Sequence, residues 1–140
     1  MTHTELESLV RDFEWCTLPR EAWTHRAHLA VSVWYLFHFS REEATRLIRT
    51  GIQRYNASLG NTKGYHETVT LAWIAVVAAE LSASTDKSLE FLADFIPSRY
   101  GRDFLLKHFS KELLFSEFAR QEWVNPDLFP LPENLPENSP

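Results

Sequence analysis

The chain has 140 residues, 44% apolar or aromatic and 24% charged, a balance that fits one soluble globular domain and excludes general disorder. With 14 Lys and Arg against 19 Asp and Glu, the formal charge is -5 and no basic block occurs, which argues against a nucleic-acid partner. The single cysteine, Cys16, rules out an intramolecular disulfide or a CxxC pair, and no apolar stretch reaches the ~20 residues that span a bilayer.

Residues 1 to 13 are polar and amphipathic and carry no secretory signal, so a cytoplasmic protein without a membrane partner is expected. Thr4 with Glu7 reads as a capping box, and Leu6, Leu9, Val10 and Phe13 give a first helix from about Glu5 to Trp15. Pro19 suits the first turn of a second helix, from Arg20 to about Phe39, which is apolar nearly all round and therefore central. Ser40 with Glu43 opens a third, amphipathic helix ending near Asn56, and residues 58 to 64 are turn formers of a surface loop. The fourth helix, about Tyr65 to Ala83, holds an unbroken apolar run from Leu71 to Ala79 and is again buried on most sides. Asp86 can cap a fifth helix that Pro97 closes, and a short sixth occupies Asp103 to Phe109. Ser110 and Ser116 are both plausible caps, so the segment holding Leu113 to Trp123 reads as one helix or two. From Asn125 onward proline forbids helix, and Leu128, Phe129 and Leu131 suggest an extended strap packed on the body.

The pattern predicts an all-α fold. It is a single-domain bundle of about five to seven helices over residues 1 to 132, with two buried central helices, a Pro-rich C-terminal strap and a disordered tail over 133 to 140.

Chemistry points to two places. In the second helix Glu21, His25, His28, Ser32 and Tyr35 recur at steps of four, three, four and three, which puts polar groups on one face of a helix otherwise built for a core. His25 and His28 are close enough in angle to share one ligand, and neutral imidazoles are common ligands of Zn, Fe, Ni and Cu. The fourth helix opens with Gly64, Tyr65, His66 and Glu67. Its histidine can supply a third nitrogen, and Glu67, with Tyr65 beside it, is a candidate fourth ligand or general base. The string departs from the zinc-protease HExxH, because Thr70 stands where the second histidine belongs.

The strings LPREAWTHRAHL (18 to 29), RYN (54 to 56), GNTKGYHETVTLAW (60 to 73) and FSEFARQEWVNPDLFPLP (115 to 132) resemble a family of small helical bacterial proteins marked by WTHxAHL and GYHETxT. The similarity covers most of the chain. It implies a common site built around the two histidine motifs and names no activity or substrate.

Blander roles compete at each position. A histidine or carboxylate in a first helical turn can cap or favour the helix dipole, which applies to His66, Glu67 and more strongly to Glu21. His3, His38 and His108 read as ordinary surface or core residues, and Cys16 as a small buried hydrophobe. Tyr35 and Tyr55 read as packing residues with hydroxyls at the surface, and Asn56 as a possible pocket residue. Arg99, Arg102 and Arg120 are candidates to clamp a carboxylate or phosphate, with surface ion pairing as the alternative.

The first reading is a metal-dependent enzyme acting on a small molecule, a hydrolase, lyase or oxygen-using catalyst. A divalent transition metal, Zn, Fe, Ni or Cu, would be held by His25, His28 and His66, with Glu67 and Tyr65 as catalytic groups. The alternative is a non-catalytic binding module for a small acidic metabolite in the same polar pocket. A third possibility is that the motifs only fix helix packing, and a homodimer that hides some of the many aromatics is compatible with all three.

Overall fold

In the computed structural model, which describes residues 1–132, the described residues are helical and include no strand. The predicted 133 to 140 tail lies outside them.

Helix α1 (His3–Glu14) starts two residues before the predicted box. Thr2 Oγ1 accepts the Glu5 N–H at 3.1 Å and Glu5 Oε1 accepts the Thr2 N–H at 2.7 Å. Thr2/Glu5 and Thr4/Glu7 carry the same spacing, and the earlier start adds backbone bonds while keeping Leu6, Val10 and Phe13 on the buried face. Past α1, Cys16 adopts φ 60, and the N–H groups of Thr17 and Leu18 both reach Asp12 O, closing the helix end.

The predicted second helix is broken near its start. Pro19 introduces one 3-10 turn at Arg20–Ala22, Trp23 leaves helical space at ψ 66, and Thr24 caps a fresh helix, α2 (His25–His38), by accepting the Ala27 N–H at 3.1 Å. The break lets the Trp23 ring stack between Phe13 and His28, at centroid distances of 4.8 and 3.8 Å. Helix α3 (Arg41–Ser58) is capped by Ser40 as expected, but Glu43 pairs with Arg46 and the box is only half made. Helix α4 (Glu67–Ala83) begins at Glu67, with His66 as its cap and Tyr65 in the loop before it. In α5 (Leu89–Arg99) the cap is Ser88, not Asp86, and Pro97 lies inside the last turn instead of closing the helix. A 3-10 stretch at Arg102–Lys107 follows. Then α6 (Lys111–Leu114) and α7 (Glu117–Gln121) are separate helices, because Ser110 and Ser116 each cap one.

Why α2 and α4 lack a polar face is clear from what surrounds them. Helix α2 packs on α1, α3, α4 and α5. Its Leu29, Ala30 and Val33 join one apolar cluster with Ala72, Val76 and Val77 of α4 and Leu92 and Ile96 of α5. Val31 and Tyr35 join a second cluster with Val10, Phe13, Ile48 and Tyr55, to which α4 adds Ile74. A helix shared between two clusters needs apolar residues all round. Both tyrosine expectations are corrected here. Tyr55 is fully buried and donates to Leu18 O at 2.8 Å, and Tyr35 is buried and donates to Glu14 Oε2. A closed hydrogen bond makes a phenol tolerable inside the core.

Of the three strap residues expected to pack, only Leu131 is buried, whereas Leu128 and Phe129 are 50% and 66% exposed. The strap is held by polar contacts instead. Asp127 Oδ1 accepts the Ser110 N–H at 2.7 Å, the Leu128 N–H reaches His108 O, and the His108 ring meets Pro130 O at 3.0 Å. None of the described helices is long and apolar enough to cross a membrane.

Candidate ligand-binding site

The amino ends of α2 and α4 and the carboxyl end of α3 meet around a cavity of about 130 Å3. Helix α2 contributes His28, Leu29 and Ser32, and α3 contributes Ile48, Ile52 and Asn56. The loop before α4 adds Gly64, Tyr65 and His66, and α4 itself Val69, Thr70 and Trp73. Residues of both histidine motifs therefore line one space.

The three histidines do different work. His25 Nε2 lies 2.9 Å from Tyr100 O; a carbonyl only accepts, so this nitrogen carries the proton and ties α2 to the end of α5. His66 is engaged at both nitrogens. Its Nδ1 accepts the Val69 N–H at 3.1 Å, capping α4, and its Nε2–H donates to Leu114 O at 2.7 Å. His28 differs, since its half-buried ring makes no side-chain hydrogen bond among the described residues. Stacked on Trp23, the ring is pushed down to about 4 by burial first, then by the neighbouring His25 and Arg102, so it is neutral at pH 7.

The expected metal set is not assembled. Among the described residues no three His, Cys, Asp or Glu side chains gather into a group that could hold a metal ion. His66 has no lone pair to give, because one nitrogen already accepts and the other donates. These residues, as arranged, do not fit a divalent transition metal.

Glu67 and Tyr65 form a clamp. Arg49 on α3 grips the carboxylate with both ends of its fork, Nε to Oε1 at 3.1 Å and Nη2 to Oε2 at 2.8 Å, while the Tyr65 O–H donates to Oε1 at 2.6 Å. Burial, then this bond to Glu67, pushes the Tyr65 phenol up to about 12. Both carboxylate oxygens are thus committed to joining α3 to α4. Arg49 was not foreseen, since it lies 18 residues from Glu67 on the polar face of its own helix.

The remaining predicted positions fall as follows. Ser32 Oγ donates to His28 O within its own helix, and Glu21 is exposed in the 3-10 turn, off the α2 face. Arg99 pairs with Glu80, and Arg120 with Glu117 and Lys63 O. Arg102 has no carboxylate partner among the described residues, yet stands near enough to His28 to weigh on its charge. Trp23, Trp73 and Thr70 were missed; the only local signal for Trp23 was its place just before a capping threonine.

A larger groove, about 600 Å3, runs between the strap and α4, lined by Leu71, Ile74 and Ala75 on one side and residues 125 to 132 on the other. It holds no histidine. No family model, curated protein or solved structure matches the chain.

Proposed function

We propose that this chain is a binding module for a small acidic molecule, held in the cavity where the WTHRAHL and GYHET motifs meet. The observation that carries this reading is the His28 ring: fixed against Trp23, facing the cavity and left without a hydrogen-bond partner among the described residues. A polar group so placed is worth its desolvation only if something completes its bonding. The surroundings favour negative charge. The positive ends of two helices, α2 and α4, open toward the space. The carboxyl end of α3 offsets part of that field, and Glu67 adds little to the offset because Arg49 neutralises it.

The test is thermal unfolding of the full chain against a panel of small carboxylates. A ligand at about a hundred times its Kd adds about 2.7 kcal/mol of stability, a rise in Tm of several degrees for a chain this long. Stabilisation by a carboxylate that His28→Ala abolishes is the expected result. No stabilisation by any member of the panel overturns the reading. Near-stoichiometric bound metal that both His25→Ala and His66→Ala lose would replace it with the metal-dependent enzyme.

A further inference from the structure

We infer that the ligand is a compact carboxylic acid of about six non-hydrogen atoms, its apolar body among Leu29, Ile48, Ile52 and Val69 and its carboxylate turned to His28 and Asn56. This names the ligand class of the binding module proposed above and rests on that reading.

Size comes first. An apolar cavity of ~150 Å3 holds one benzene, so about 130 Å3 admits a molecule of similar bulk and is too small to enclose a nucleotide, a sugar phosphate or a peptide. The walls come next. Four aliphatic side chains from three helices meet the space, and a wholly polar anion such as phosphate would leave them uncovered. The number of free polar groups then limits the head. Ser32, Tyr65 and His66 are already hydrogen-bonded within the protein and Thr70 interacts with the Tyr65 hydroxyl, which leaves the His28 ring, the Asn56 amide and the Trp73 indole among the polar lining groups with no side-chain hydrogen bond shown between described residues. Donors on the wall of one small cavity suit the oxygens of a carboxylate. Charge decides the last point: the amino ends of α2 and α4 open at the cavity and favour an anionic head over a neutral one.

The experiment titrates the full chain with isobutyrate, with isobutyramide as its uncharged isostere, and with phosphate and citrate, following the His28 imidazole by NMR. Wild type is expected to bind isobutyrate at least about tenfold more tightly than isobutyramide, the usual gap between charge-assisted and neutral hydrogen bonding. His28→Ala, followed by thermal unfolding, is expected to bring the two near parity. Equal binding of acid and amide in wild type overturns the inference. Binding of phosphate or citrate at His28 without isobutyrate also overturns it and leaves the binding-module reading standing. If none of the four moves the His28 signal, both fall.

Discussion

Acid should cost this protein stability through one identifiable side chain. His28 titrates near 6.5 when the chain is unfolded and at about 4 when folded, because burial, then the neighbouring His25 and Arg102, oppose its protonation. The unfolded state therefore takes up the proton first. Stability is complete above pH 6.5 and is lost as the pH falls from 6.5 toward 4, where the folded ring also protonates. At about 1.4 kcal/mol per pH unit that interval is worth about 3 kcal/mol, and the ring's partial opening to the cavity reduces the figure to about 2. The assay is urea unfolding of wild type and His28→Gln at half-unit steps from pH 8 to pH 4. Carboxylates common to both proteins cancel in the difference. Wild type should lose about 2 kcal/mol more than the variant, nearly all of it below pH 6.5. Two parallel curves, or a difference already developed between pH 8 and 7, would refute the assignment of a neutral, partnerless ring.

Two further expectations concern residues that hold the site. His66→Ala removes an α4 cap and the bond to Leu114 O, a loss of about 2 kcal/mol by chemical denaturation; His66→Asn, whose Oδ1 can accept the Val69 N–H in place of Nδ1, should restore about half, and equal losses would remove the cap from the account. Gly51 lets α3 approach α1 so closely that an added Cβ would stand 2.8 Å from Phe13 Cε2. Phe13 is fully buried and backs the Trp23–His28 stack, so Gly51→Ala should lose about 1 kcal/mol despite its better helix propensity and should shift the His28 NMR signal. A more stable Gly51→Ala with an unmoved His28 would show the contact to be soft.

Helices were legible wherever apolar spacing and a capping side chain agreed, as in α3 with Ser40 and in the paired caps Ser110 and Ser116. They were misplaced where two local rules competed. Thr2 and Thr4 both begin a box, and nothing within four residues decides between them. Pro19 favoured a helix start that the ring stack of Trp23 then interrupted, and that stack depends on Phe13, ten residues away. Asp86 and Ser88 offer equivalent caps, and the phase of Leu89, Leu92 and Ile96 against α2 selects the later one.

The site shows the same boundary between local and distant information. Reading three imidazoles as ligands assumes that each seeks an external electron acceptor, and a sequence does show when histidines could converge. It cannot show that a main-chain carbonyl will arrive first, because every residue carries one. His25 meets Tyr100 O and His66 meets Leu114 O, and Thr68, wholly buried, donates to Glu122 O and accepts the Val124 N–H. Residues 100 to 124 are thus fastened to the amino ends of α2 and α4 by side chains of the two motifs. Having spent two of the three motif histidines on that fastening, the fold leaves His28 as the one that lines the cavity without a side-chain hydrogen bond among the described residues. That is why residues of both motifs line one cavity while three nitrogens on one metal do not match the hydrogen bonds formed there.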